Sequence, residues 1–129
     1  MSNVYLDSSA LTKLIIDEPE SPSLQTALQG RTLMTSRVAV VEVSKAVARS
    51  NPIADPTRIL SLVTMLELDA DVAITAAATG GAGLRALDAI HVATALLVGA
   101  ELETFITYDT RQSGAARAAG LHVIAPGAD

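Results

Sequence analysis

An α/β fold, a three-layer α/β/α sandwich with a mainly parallel central sheet, is predicted by three features of the sequence. Short apolar runs of strand type alternate with helical patterns from end to end; no repeat or low-complexity stretch interrupts them; and half of the residues are hydrophobic while only 2% are aromatic. Alternation of this kind favours parallel strands joined by crossover helices. A core of Ala, Val, Leu and Ile with few rings suits helices laid closely on a sheet. At 129 residues the chain fits one domain, 1–129, large enough to bury a real core.

The elements follow in order. Val4-Tyr5-Leu6 combines β-branched, aromatic and aliphatic types as a short buried strand, and Asp7 turns the chain into a helix through Ala10, Leu11, Leu14 and Ile15. Asp17-Glu18-Pro19-Glu20 breaks that helix. Ser21-Pro22 then supplies an N-cap and first helical residue for a second, with Leu24, Ala27 and Leu28 apolar and Gly30 as its stop. Thr32 to Thr35 reads as a strand, after which Ser36 caps a helix from Arg37 to about Arg49. Glu42 lies there at the margin of an apolar face containing Val40, Val43 and Val47.

Asn51-Pro52 ends that helix, and Asp55-Pro56 opens another through Ile59, Leu60, Val63 and Leu66. From Leu66 to Val72 apolar and acidic residues alternate, as in a half-exposed strand whose acids face water. Ala73 to Thr79 is helix-prone. Gly80-Gly81-Ala82-Gly83 reads as a hinge, because a phosphate-binding loop needs Lys and then Ser or Thr directly after the glycines. A strong helix runs from Leu84 to Gly99, with Asp88 and His91 one turn apart. Thr104 to Thr107 is a strand, Ser113 to Ala119 an Ala-rich helix, and Leu121 to Ile124 a last strand.

The absence of cysteine excludes disulfides, thiolate zinc sites and a cysteine nucleophile. Met1 leads straight into the first strand, and the apolar run Val92 to Ala100 is far short of the ~20 residues that cross a bilayer, so a cytoplasmic protein without a membrane span is expected. A net charge of −5 argues against a basic nucleic-acid coat protein. It does not argue against an enzyme that takes a phosphodiester at a cation: with four of the 14 acids set aside at one metal site, ten face nine bases.

Four acids stand where solvent-facing charge is hard to explain. Asp7 and Asp109 lie just past apolar strands, and Glu42 and Asp88 lie inside apolar helical stretches. They are separated by 35, 46 and 21 residues, too far for one loop. In a parallel sheet every strand delivers its carboxyl end to one rim, where distant acids can meet. Clustered carboxylates raise one another's pKa unless a cation neutralises them. With no cysteine and two histidines, the donors are oxygens, which select a hard ion such as Mg²⁺ or Mn²⁺. The matching chemistry is phosphodiester hydrolysis.

Each acid also has a plainer reading. Asp7 can simply cap the first helix, Glu42 can pair with Lys45, Asp88 sits early in a helix where the dipole favours any carboxylate, and Asp109 can serve a turn. His91, beside a core stripe, reads as a packed, hydrogen-bonded side chain and not as a general base. Two other function classes are open. A receiver-like or aspartate-phosphatase-like phosphoryl-transfer domain also places Asp after its first strand, though it usually needs a second acid two residues on, where this chain has Ser9. A catalytically silent interaction module would keep the groove for a partner, and the intact acidic quartet speaks against it.

Tyr5-Leu6-Asp7-Ser8-Ser9-Ala10-Leu11, Ser36-Arg37-Val38-Ala39-Val40-Val41-Glu42-Val43, the run from Leu84 through Asp88 and His91 to Ala95, and Phe105-Ile106-Thr107-Tyr108-Asp109-Thr110-Arg111 resemble, in order and spacing, the four motif blocks of PIN-domain nucleases. The nearest subgroup is the VapC-type toxins of prokaryotic toxin–antitoxin systems. The resemblance covers nearly the whole chain. It implies an α/β/α fold, metal-dependent endoribonuclease activity on an RNA substrate, frequent homodimerisation, and inhibition by a small VapB-type antitoxin whose C-terminal segment covers the active groove. It also implies that Asp7, Glu42, Asp88 and Asp109 form the acidic quartet around Mg²⁺ or Mn²⁺ and that Thr107 is the hydroxyl residue accompanying the last acid. Gln112-Ser113 departs from the pattern, where relatives more often have an apolar pair. Arg85 and Arg111 are candidates for RNA phosphates, an antitoxin carboxylate or simple salt bridges. With Ser8 or Ser9 capping the first helix, Asp7 is expected to be free to face the cation.

Overall fold

The computed structural model describes residues 2–129. Five strands, β1 (Asn3–Leu6), β2 (Thr32–Ser36), β3 (Thr64–Leu66), β4 (Leu102–Ile106) and β5 (Val123–Ile124), form one sheet in the order β3-β2-β1-β4-β5, and every pairing is parallel. The helices are α1 (Ser8–Ile15), α2 (Ser21–Leu28), α3 (Val38–Ser50), α4 (Thr57–Leu60), α5 (Ala70–Ala77), α6 (Ala86–Val98) and α7 (Thr110–Ala118).

Side chains along a strand alternate between sheet faces, and β1 shows how this divides the core. Val4 and Leu6 join Ala10 and Leu11 of α1, Leu24 of α2, and Ala39, Val43 and Val47 of α3 on one face. Tyr5 points to the other, with Phe105 of β4, Val92 and Ala95 of α6, and Ala116 of α7. A third cluster sets Val72 and Ala76 of α5 against Ala89 and Ala93 of α6. Because alanines occupy so many of these contacts, helix backbones approach the sheet closely and a single ring fills much of the space beneath. Tyr5 and Phe105 are fully buried and stacked, their centroids 5.1 Å apart.

The order β3-β2-β1-β4-β5 reverses direction once. From β1 the chain builds outward through β2 and β3, then crosses back to place β4 and β5 on the other side. The carboxyl ends of β1 and β4 therefore flank the switch point, the position in open α/β sheets where neighbouring loops diverge and leave a crevice.

The sequence expectations fail at four places, each for a local reason. The helix expected from Asp55 to Leu66 stops at Leu60, because Thr64, Met65 and Leu66 pair with Met34, Thr35 and Ser36 as β3. Apolar spacing of helical type was overridden by a strand pairing that the sequence does not display. The alternating stretch Leu66–Val72 is accordingly a strand only at its first residue. Asp69 accepts the Val72 amide at 3.0 Å as N-cap, so α5 starts at Ala70, earlier than expected, while Glu67, Asp69 and Asp71 are exposed as predicted. Likewise α7 starts at Thr110 and not Ser113, since Asp109 caps it. The glycine stretch read as a hinge is a turn: Gly80 and Gly81 take φ of +74° and +67°, and a Cβ at Gly80 would lie 2.4 Å from Leu84 Cδ2. Among the described residues no helix is long and apolar enough to cross a membrane.

Candidate active site

β1 and β4 are paired up to Leu6 and Ile106, so the residues that follow, Asp7 and Thr107, leave the sheet side by side at the switch point. The Asp7 amide donates to the Ile106 carbonyl at 3.2 Å, extending the ladder by one residue. Asp7 then caps α1 itself, its Oδ1 accepting the Ala10 amide at 3.1 Å. This corrects the expectation that Ser8 or Ser9 would take over the cap. Both serines lie in the first turn of α1 and are used otherwise, as follows.

Two hydroxyls stitch the β1–α1 turn to the β4–α7 turn. Ser9 Oγ donates to Asp7 Oδ1 at 2.6 Å and accepts the Tyr108 amide at 2.9 Å. Thr107 Oγ1 donates to Asp7 Oδ2 and accepts the Asp109 amide at 3.1 Å. Asp7 and Asp109 are thus bridged by one buried threonine. Asp109 Oδ1 in turn accepts the amides of Arg111 and Gln112 at 2.9 and 3.2 Å, so the end of α7 is aimed into the same place.

Asp7 is 4% exposed and has no cationic partner within salt-bridge distance among the described residues. Burial pushes its carboxyl up, and the hydroxyls of Ser9 and Thr107, the charge of His91 and the Ala10 amide only partly offset this. The position where a phosphoryl-transfer domain usually has its second acid is Ser9, whose hydroxyl donates to Asp7 Oδ1, so the structure adds no support to that alternative.

Glu42 projects from α3 toward the first turn of α1. Its Oε1 accepts from Ser8 Oγ at 2.6 Å and from His91 Nε2 at 2.7 Å. Burial works against its charge, but the His91 hydrogen bond and charge and the Ser8 hydroxyl together outweigh burial and hold the carboxyl below the usual glutamate range. Asp88, in the first turn of α6, has the opposite balance. Burial and then the negative charge of Asp109 push it up, Arg85 at 3.7 Å and His91 pull it down, and Glu42 adds a further upward push.

The structure therefore brings all five predicted residues to one end of the sheet: Asp7 and Thr107 in direct contact, Asp109 linked to Thr107, and Asp88 in the electrostatic reach of Asp109 and Glu42. It does not close them into a cage. Among the described residues no three His, Asp or Glu side chains stand near enough to one another to hold a metal ion by themselves. An oxygen-only donor set under mutual repulsion fits a hard divalent cation, and the open spacing fits one that keeps several of its waters.

Two side chains central to this geometry were left out of the site read from the sequence. His91 is 1% exposed and links Glu42 to Tyr5, whose Oη lies 2.6 Å from His91 Nδ1. Its packed, hydrogen-bonded state matches expectation, but its partner was not foreseen. The available signals were the one-turn offset of His91 from Asp88 and the period-two placement of Tyr5 opposite Val4 and Leu6. Two grooves open beside the acids. One, of about 800 Å³, is bordered by Arg85, Asp88 and Arg111 over a floor of Gly114, Ala115 and Ala118. The other, of about 500 Å³, runs past Ser8, Glu42, Lys45 and Arg49, with exposed Val41 and Leu87 at its rim.

Comparison with known proteins agrees with this architecture. The model of the PIN domain family matches residues 4–118. Ribonuclease VapC35 of Mycobacterium tuberculosis is 43% identical over 131 residues, which cover 96% of this chain and 97% of that protein. Among solved structures, M. tuberculosis VapC20, described as a sarcin–ricin-loop-cleaving toxin, matches with a TM-score of 0.73 at 16% identity over 95% of this chain and 99% of that one. A chain of a toxin–antitoxin complex from Klebsiella pneumoniae matches with a TM-score of 0.71 at 24% identity, covering 95% of this chain and 97% of its own length. At those identities the two structures speak for the three-layer α/β/α fold.

Proposed function

The chain belongs to the PIN domain family, and from that premise we propose that it is a divalent-cation-dependent endoribonuclease, the toxin of a toxin–antitoxin pair. The observation that carries this reading is incompletely compensated negative charge at the switch point. Asp7 is buried with no cationic side chain in salt-bridge distance among the described residues, and burial, Asp109 and Glu42 push Asp88 up by more than Arg85 and His91 pull it down. Such a cluster is stable at neutral pH when a cation joins it.

Asp7, Glu42, Asp88 and Asp109 would hold Mg²⁺ or Mn²⁺, which supplies a binding point for the phosphate, a more acidic water and a neutralising charge for the leaving oxygen. The chain's own residues prepare that place. Thr107 and Ser9 keep Asp7 and the start of α7 in register by their paired hydrogen bonds, and Ser8 and His91 hold Glu42 ionised as an acceptor. The full-length relation to a ribonuclease supports RNA as substrate. The fold shared with a chain of a toxin–antitoxin complex supports a small antitoxin as partner, and a homodimer, as the family resemblance implies, is part of the same reading.

The test is cleavage of single-stranded RNA by purified protein, with Mg²⁺ or Mn²⁺ and with chelator. Wild type is expected to cut internally only with the ion, and Asp88→Asn to cut at least about a hundredfold more slowly with unchanged circular dichroism. Equal cleavage by both proteins, or cleavage in chelator, would sink the proposal.

The distribution of the nine basic residues points to where the RNA lies. Lys13 pairs with Glu18 and Glu20, Arg31 with Glu103, and Arg37 with Glu67. Arg117 donates to the Val123 carbonyl. Lys45 and Arg49 line one groove beside the acids and Arg85 and Arg111 the other, while Arg58 stands apart on α4. A strand crossing both grooves would meet cations on each side of the scissile phosphate. Lys45→Gln/Arg49→Gln is expected to raise KM for RNA roughly three- to tenfold and to lower the slope of log affinity against log salt by about 1.4, two phosphates at about 0.7 each. Arg58→Gln serves as the control and is expected to leave both quantities unchanged.

A further inference from the structure

We propose that Tyr5 and His91 are positioning residues that fix the Glu42 carboxylate in one orientation through a chain of buried hydrogen bonds, leaving Glu42 Oε2 for the cleavage site. The inference rests on the reading of Glu42 as part of an RNA-cleaving centre.

The two ends of the chain are anchored differently. At one end the Ser36 backbone N–H donates to Tyr5 Oη at 3.1 Å, so the tyrosine's own hydrogen is available to His91 Nδ1, 2.6 Å away. At the other end an ionised carboxylate accepts and cannot donate, so the hydrogen of the 2.7 Å contact lies on His91 Nε2. In either protonation state of the ring Nε2–H donates to Glu42, while Nδ1 receives from the tyrosine hydroxyl or, when it carries a hydrogen, donates to that oxygen, so the hold on Glu42 is the same in both. Ser8 Oγ donates to the same oxygen, Oε1, at 2.6 Å. Oε2 accepts no hydrogen bond from the described residues.

The chain is rigid because water cannot replace its members. Tyr5 is fully buried and His91 is 1% exposed. The tyrosine ring is held against Phe105 on one side, and the imidazole meets it edge-on at 5.7 Å and 75°. Five elements converge here: β1 supplies Tyr5, the end of β2 the Ser36 amide, α6 His91, α3 Glu42 and α1 Ser8. A glutamate side chain has three rotatable bonds and sits at a half-buried margin, and nothing on α3 itself restrains it. Two donors on a single oxygen select one rotamer and one face of the carboxylate. Partners of this kind, which touch a ligand without touching the reacting atoms, typically change activity or metal affinity 10–100-fold when removed.

The test has two parts. In metal-free protein labelled with ¹⁵N-histidine, His91 is expected to show a proton held on Nε2, and Tyr5→Phe to move the Nδ1 resonance. A wild type without a proton on Nε2 overturns the chain. In RNA cleavage with Mn²⁺, His91→Leu is expected to lower kcat about tenfold or more with KM within twofold. His91→Gln, whose amide N–H reaches toward Glu42, is expected to recover most of the loss. Placed on a Glu42→Gln background, His91→Leu is expected to cost less than a further twofold, because the interaction it supports is already absent. An independent, multiplicative loss on that background, or no rescue by glutamine, marks His91 as core packing alone and overturns the proposal. If His91→Leu fails to fold, Tyr5→Phe, which removes a single oxygen, carries the same kcat test. A wild type that cuts no RNA would defeat the functional reading, while the ¹⁵N measurement would still decide the hydrogen-bond chain.

Discussion

Asp7→Asn is expected to reduce RNA cleavage at least about a hundredfold while raising the melting temperature of the metal-free protein. Both effects have one cause. The carboxylate is almost completely buried, its pKa is pushed up mainly by that burial, and only hydroxyls, an amide and the charge of His91 oppose the shift. Asparagine keeps the acceptor for Ser9 and the Ala10 amide, and its NH₂ can donate to Thr107 Oγ1 in place of accepting from it. The fold thereby loses a charge it does not need and the site loses one it does.

The pH dependence has a definite sign. A carboxyl whose folded pKa lies above its unfolded value destabilises the native state in its charged form, so the penalty is complete above the folded pKa and disappears as pH falls toward the ordinary aspartate value. The gain in melting temperature from Asp7→Asn should therefore be largest at neutral and alkaline pH and shrink on acidification. Thermal unfolding in chelator between pH 4 and 8 checks this; a gain that does not depend on pH would show that burial of the Asp7 charge is not its origin.

Phe105→Ala is expected to destabilise the protein by roughly 3–5 kcal/mol, a large share of the ~5–15 kcal/mol that holds a typical domain together. Phe105 is the only phenylalanine in the chain, fully buried, with the Tyr5 ring stacked on it at 8° and Val92, Ala95 and Ala116 around it. Alanines make up much of this cluster, and they have no longer side chains to swing into the cavity. Phe105→Leu should cost markedly less, about 1–1.5 kcal/mol, because most of the volume is kept. Urea denaturation of the three proteins measures the series, and near-equal midpoints for alanine and wild type would refute the packing assignment. Since the Tyr5 ring rests on Phe105, the alanine variant should also loosen the His91 and Glu42 contacts beyond it.

How much of this was legible beforehand differs from one element to the next. The runs at Val4–Leu6, Thr32–Thr35 and Thr104–Thr107 carry β-branched and apolar residues bounded by caps or turns, and each became a strand within one or two residues of its expected limits. β3 was not legible. Its three residues sit in helical spacing, and only the edge of β2 makes them a strand. Asp7, Glu42, Asp88 and Asp109 stood out because an acid in an apolar run is conspicuous. The contacts of Tyr5 with His91, of His91 with Glu42 and of Ser9 with Tyr108 were invisible, since these partners lie between 49 and 99 residues apart.

The sequence by itself determined the class of fold, the order of its layers and which acids are candidates for the site, because periodicity and residue chemistry are local properties that survive without contacts. Tertiary structure alone decided that Asp7 both caps α1 and lies buried beside Thr107, and that Glu42 is held through His91 from a tyrosine on the far face of β1. Those are matters of which strand lies next to which. Parallel pairing through long crossovers fixes that arrangement only when the whole core closes.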